Sequence, residues 1–474
     1  MCPELLAIWL AHPSTGLLHA DAELGPACLE QRLEELGVSS AVTLRSPDEV
    51  APPGPAKELR DAYTVPEWAA SENFVVRWGS GVELADAEGT LADLEAAWAA
   101  EIDRLAYPVP VGSEAFKLNV YVGSTGGNTP EDLGAAGYYT VDAEGYPMLV
   151  LSADTVADIE GNRATTSAHE FFHAIQHSIG SPYAFGTGEK GAWWWEATAV
   201  WINTRVHPED PRVTDYLFGW TFFPDLPVDY FQYPDGISLE AYHAYGAFLF
   251  VDQLGSAEVV RRSWVEADDE DPLVVLDRLL EEEGDRLEGV LADLWPAIVA
   301  WDVDDGAALE AAHEDWTAEF PDQDRRVGVE LEEGHFGEPA VFPGRYGATY
   351  ARYRPEGSAP DVRVRFVGEP QGRKGTAAEW VTQVLVQDAS GFAVYPFEED
   401  LVVGEAGEAE AIWVVAGVLA DRRVEDETFE HRVRVDEVRA CGCGAGTLAA
   451  GPWLLALIAA ARRSRRRVPD ASTS

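Results

Sequence analysis

Positive charge and sulfur are what this 474-residue chain has least of. It carries 34 Lys and Arg against 83 Asp and Glu, a net charge of -49, and only four of the basic residues are lysines: Lys57, Lys117, Lys190 and Lys374. A surface so acidic repels phosphate backbones and anionic headgroups, which excludes nucleic acid as a partner. Four cysteines are too few for a disulfide framework. Two of them, Cys441 and Cys443, sit together near the C-terminus, leaving Cys2 and Cys28 for the rest. The cluster Asp268-Asp269-Glu270-Asp271 lacks the glycine and the alternating ligand pattern of a calcium loop and reads as surface charge. A long apolar run is also missing until residues 445–461.

Against this background one segment stands out, His169-Glu170-Phe171-Phe172-His173. Two imidazoles four residues apart lie one above the other on one helical face and can reach a single ion. A Glu directly after the first is placed to take a proton from a metal-bound water. Phe171, Phe172 and Ile175 supply the opposite, core-facing side. An open zinc site needs a third protein ligand. The run Ala192 to Ile202 is apolar except for Glu196 and Thr198 and holds four Trp. A lone carboxylate there is costly to bury without a cation, so Glu196, 23 residues beyond His173, is the expected third ligand.

His169-Glu170-x-x-His173 followed by Trp195-Glu196-Ala197-x-Ala199-x-Trp201 resembles the gluzincin zinc metallopeptidases, in which a Glu on the next helix completes the metal site. More closely, the Asn119–Val122 segment, the H-E-[FY]-F-H-A-x-Q helix and the W-W-W-E-A-T-A run resemble exported metallopeptidases recurrent in myxobacteria. The resemblance covers about residues 71 to 320. It implies Zn²⁺ held by His169, His173 and Glu196, with Glu170 as general base. One departure is Val200, where some gluzincins place an Asp that orients the first His. A peptide deformylase would need an upstream Cys ligand, and none lies near.

Members of this group often use a downstream Tyr to stabilise the oxyanion. In the segment Ser238 to Gly246, read as a helix start capped by Ser238, Tyr245 is chosen over Tyr242 and His243. The strand Tyr146–Ser152 precedes the metal helix. In zincin folds such a strand lies at the sheet edge above the cleft, so Met148, Leu149, Val150 and Leu151 are expected to pair with an extended protein or peptide substrate.

Four units are expected. Residues 1–70, with the Pro-rich Ala51–Pro55, read as propeptide or linker. Residues 71–325 form the α+β, zincin-like (gluzincin) peptidase domain. It begins with the alternating Phe74, Val76 and Trp78, and continues through a helix capped by Thr90 and a Gly-rich loop from Gly123 to Gly137. A Pro- and aromatic-rich insertion over residues 205–237 reads as a cover loop. Residues 326–438, with short alternating runs at 362–366, 384–386, 412–415 and 433–435, form an all-β, sandwich-like domain.

Residues 439–474 form a tail: Cys441 and Cys443, then seventeen apolar or small residues, then Arg462, Arg463, Arg465, Arg466 and Arg467. This resembles a MYXO-CTERM sorting signal. It implies a membrane span, processing by a sorting enzyme near Cys441 or Cys443, and display of an exported protein at the cell surface. Leu5 to Ala11 is short for a secretory signal and no basic residue precedes it. The reading from another class is a catalytically idle surface binding or adhesion protein that keeps the fold; an intact Glu170 speaks against it.

Overall fold

The segment Phe74–Trp78 becomes strand β2, and all five of its residues are buried. Phe74, Val76 and Trp78 face the helices, as their alternation requires. The opposite face is closed by the residues just upstream, where Tyr63 and Val65 pack on Tyr121 and Met148. Arg77, on that same face, bonds Asn119 Oδ1 at 2.9 Å and the Arg60 carbonyl at 2.8 Å. The computed structural model describes residues 57–438 except 181–182, 184–190, 209, 211–214, 233–238, 268–269, 304, 356–360, 405, 407–408, 421 and 425. The boundary expected at residue 70 is therefore too late: residues 57–66 cover the sheet, and β1 (Glu67–Ala70) is one of its strands.

The first sheet has the order β1-β2-β3-β5-β4, with β3 at Leu118–Val122, β4 at Gly137–Val141 and β5 at Pro147–Leu151. Strands β2, β3 and β5 run parallel, while β1 and β4 are antiparallel edges. This corrects the expected substrate strand. Met148, Leu149, Val150 and Leu151 are buried and paired on both sides, with β3 and with β4, so their backbone groups are already used. The edge beside the helix that carries His169 and His173 is β4, a stretch that the sequence places partly in the Gly-rich loop.

Helix α1 spans Leu84–Trp98. Thr90 is inside it, bonded to the Asp86 carbonyl at 3.0 Å, and is not its cap. A π-helical turn, Ala99–Arg104, follows and buries Glu101. After the short α2 (Ala153–Val156) come α3 (Arg163–Ile179), which packs on α1, β4 and β5, and α4 (Ala192–Val206), which packs on α3. The remaining helices are α5 (Leu217–Thr221), α6 (His243–Gly246), α7 (Phe248–Gln253), α8 (Ala257–Val265), α9 (Pro272–Glu282), α10 (Leu287–Ala300) and α11 (Gly306–Glu319). Ser238 lies outside the described residues. The chain after it enters a 3₁₀ turn, Leu239–Tyr242, and then the separate α6 and α7 rather than one long helix.

Downstream, two sheets face each other. With β6 at Val329–Glu330, β7 at Phe336–Gly337, β8 at Ala348–Tyr353, β11 at Gly391–Phe397 and β12 at Asp400–Gly404, one has the order β11-β10-β13-β8-β6 and the other β12-β9-β14-β7. The alternating runs lie in β9 (Asp361–Gly368), β10 (Ala378–Asp388), β13 (Ala411–Ala420) and β14 (His431–Val438). Their inner faces form a core around Val364, Val384, Val414 and Val433. The outer face of the first sheet packs on α10. Trp295 lies against Gly417, where a Cβ would come within 2.1 Å of its ring. Gln383 donates to the Ala292 carbonyl at 3.0 Å and Tyr350 to that of Trp295 at 3.1 Å. Trp413, Val415 and Leu419 thus belong to the same apolar core as the helices.

No helix of the described residues is long and apolar enough to cross a membrane. Cys2, Cys28 and the whole tail of residues 439–474 lie outside the described residues.

Candidate metal centre

Helix α3 is amphipathic by sequence. Phe171, Phe172, Ala174 and Ile175 are fully buried, Phe171 stacking on Trp98 and Phe172 meeting Tyr107 edge-on. That anchoring turns His169 and His173 together toward α4. Their Nε2 atoms are 3.0 Å apart. Glu196 Oε2 of α4 lies 3.3 Å from His169 Nε2 and 3.7 Å from His173 Nε2. The structure thus brings together all three residues expected as ligands, His169, His173 and Glu196.

The electrostatics suit a cation. Burial pushes the Glu196 carboxyl up, but the neighbouring His173 and His169 more than reverse this and pull it down to about 2. It is a carboxylate at any ordinary pH. Zinc bonds of ~2.0–2.2 Å in a tetrahedron set donor atoms ~3.3 Å apart. The three separations, 3.0, 3.3 and 3.7 Å, straddle that value. Two imidazoles and one carboxylate are also the donor set of an open catalytic zinc site. The residues fit the ion.

Glu170 is buried on α3 against the first residue of β4. A Cβ placed on Gly137 would stand 3.2 Å from Glu170 Cγ, 2.9 Å from Thr166 Cγ2 and 2.7 Å from Leu151 Cδ2. Only glycine lets the edge strand approach the helix so closely. Tyr139, two residues along β4 and on the same face, meets the His177 ring at 5.2 Å and the Trp195 ring at 6.2 Å. Trp195 in turn stacks on His173 at 4.7 Å with 13° between planes.

Tyr245 is buried on α6, its ring 5.1 Å from that of Tyr216 and 5.8 Å from that of Tyr242. Helix α6 packs on α4, which carries Glu196. His243 is buried, stacks on Trp220 at 4.8 Å, and burial holds its imidazole down to about 3, so it is neutral. A neutral imidazole supplies no cationic donor.

The His173 imidazole has a partner that sequence reasoning did not name: Gln176, fully buried one turn beyond it. Its Oε1 is 2.6 Å from His173 Nδ1. Its spacing, three residues past the second His, was visible in the H-E-x-x-H-A-x-Q run. The role was not, because two of its partners lie on α4.

The half-buried His169 and the buried His173 and Glu196, on two packed helices beside a mixed sheet, form a candidate metal-binding site. The chain belongs to a family of unknown function, DUF6055, which matches residues 43–400. That span runs through both the helical half and most of the β-sandwich. No curated protein matches. Among solved structures the chain is similar to a family GH115 4-O-methyl-alpha-glucuronidase with specificity for decorated arabinogalactans. The identity is 11%, over 60% of this chain and 44% of that one, with a TM-score of 0.14. This chain therefore spans less than half of that enzyme's length, and a likeness so slight carries no argument about fold or activity.

Proposed function

We propose that this protein is a zinc metallopeptidase of gluzincin type, with His169, His173 and Glu196 holding the ion. The observation that carries the reading is the 3.0, 3.3 and 3.7 Å triangle of ligand atoms with Glu170 buried beside it. Zinc bound there would polarise the scissile carbonyl and lower the pKa of the attacking water. Glu170 accepts the proton of that water and passes it to the departing amine. Among the described residues β4 is the outermost strand of its sheet; an extended peptide paired with Gly137 to Val141 would pass the base, since Gly137 lies against Glu170. Tyr245 is the proposed second donor to the oxyanion, reached through the packing of α6 on α4.

Export and surface anchorage rest on the sequence of residues 440–474 alone. Deleting that tail should release soluble protein of unchanged specific activity; deleted protein that stays with the cell envelope would place the anchor elsewhere.

The test of the activity is incubation of the purified full-length protein with a mixed peptide library, with zinc, after chelation, and after zinc is restored. Cleavage that disappears on chelation and returns with zinc supports the reading. A protein that holds one zinc per chain and cleaves nothing in the library would instead be an idle binding protein.

A further inference from the structure

We propose that Gln176 is a positioning residue that fixes the tautomer of His173 and clamps the two ligand-bearing helices in register. This rests on the metal-site reading for its consequence, but its geometry is independent of any peptide.

The Gln176 side chain is wholly buried on α3, and each of its hydrogen-bonding sites is directed. Its Nε2 donates to the Trp195 carbonyl at 3.0 Å and to Thr198 Oγ1 at 2.9 Å, both on α4. A carbonyl can only accept, so the amide nitrogen must face α4, and the amide cannot be flipped. Its oxygen then faces His173 Nδ1 at 2.6 Å. That oxygen cannot donate, so Nδ1 carries the proton and His173 Nε2 is left with its lone pair. Nε2 is the atom that faces His169 and Glu196. Thr198 completes the relay: its hydroxyl donates to the Trp194 carbonyl at 2.6 Å, which leaves a lone pair for Gln176.

The same two bonds that orient the amide tie α3 to the turn of α4 that carries Glu196. Trp195 precedes Glu196 and Thr198 follows it by two, so the clamp grips α4 on both sides of the ligand. Sliding α4 by one residue would break both bonds and carry Glu196 out of reach. Orientation of one ligand and placement of another therefore depend on one side chain.

The experiment uses the full-length protein, wild type, Gln176→Leu and Thr198→Val. In metal-free protein, ¹⁵N chemical shifts of the His173 ring read the tautomer, and zinc affinity is then measured by competition with a chelator of known affinity. Wild type and Thr198→Val should show the Nδ1-protonated form, and Gln176→Leu a mixture of the two tautomers. Zinc affinity should fall about 10- to 100-fold in Gln176→Leu and less in Thr198→Val, which loses one strand of the clamp only. A Gln176→Leu protein that keeps both the tautomer and wild-type affinity would overturn the proposal. Should Gln176→Leu not fold, Thr198→Val decides the clamp: affinity equal to wild type there overturns it. If wild-type protein binds no zinc, the metallopeptidase reading fails, while the tautomer measurement still decides what Gln176 does to His173.

Discussion

Adding one methyl group to β4 tests whether the edge strand sets the position of the base. Gly137 has no left-handed backbone conformation, so Gly137→Ala adds no φ strain and its effect comes from contact alone. The new Cβ would lie 2.7 Å from Leu151 Cδ2, 2.9 Å from Thr166 Cγ2 and 3.2 Å from Glu170 Cγ, where ordinary contact begins at 3.4 Å. Leu151 is itself fully buried on β5, so it has nowhere to retreat. Relief must come from moving the start of β4 away from the Leu151 side chain by about 0.7 Å and from Thr166 of α3 by about 0.5 Å. Overpacking of this kind costs roughly 1–3 kcal/mol of stability. A displacement approaching 1 Å between base and substrate strand costs up to about 100-fold in rate. The three atoms nearest the new methyl belong to Leu151, Thr166 and Glu170, none of them a candidate ligand, so zinc content should stay at one per chain. The assay is kcat on a cleaved library peptide, with metal analysis and a thermal melt on the same preparation. A variant with the expected fall in Tm but wild-type kcat would refute the idea that β4 carries the substrate past Glu170.

The other expectations are simpler. Glu170→Gln keeps shape and zinc but cannot accept a proton, so kcat should fall about 100- to 10,000-fold; undiminished turnover would move the chemistry elsewhere. His169→Ala or Glu196→Ala should strip the zinc, and metal analysis showing a full complement in the Glu196 variant would remove that residue from the site. Tyr245→Phe should lower kcat by roughly 100-fold with little change in KM, with Tyr242→Phe as the control; loss in the control alone would shift the assignment by one turn. Glu101 has neither carboxyl oxygen bonded and burial holds its pKa well above the usual range. The folded chain therefore keeps a proton that the unfolded chain releases above its pKa of about 4.3. Stability contributed at this position is greatest below that pH and falls as pH rises toward the folded pKa. Glu101→Met should accordingly melt higher than wild type at pH 8, with the advantage shrinking toward pH 4; a difference that does not vary with pH would contradict the burial argument.

The three candidate ligands were legible in the sequence because each carries a local signature. His169 and His173 are four residues apart on a helix, and Glu196 is a carboxylate in an apolar run. The helices at Leu273–Leu280 and Leu287–Trp295 and the strands of the sandwich follow equally from periodicity. Strand order is a different kind of information. Nothing in Pro147–Leu151 says that β4, earlier in the chain, will pair on its far side and take the edge. Gly137–Val141 is five residues opening with glycine, and it reads as the end of a loop until its tertiary contact with Glu170 is seen. The burial of Glu101 has a local signal as well: it falls three residues after Trp98, on the same buried stripe.

The least local feature is the union of the two halves. Residues 326–438 alternate like an independent sandwich, and one face of it is. The other face is built for α10: Gly417 leaves room for the Trp295 ring, and Tyr350 and Gln383 reach carbonyls of the same helix. Asp229, buried on the helical side, lies 3.4 Å from both Arg345 and Arg423 of the β side. Burial raises its pKa while the two guanidinium groups oppose the rise. Separating the halves would strand that carboxylate and expose Trp295, so the sandwich is a structural wall of the helical half rather than a detachable module. Helix α10 packs on α7, and α7 on the Glu196-bearing α4. The β-sandwich is therefore linked to α4, the helix that carries Glu196, through two successive helix contacts.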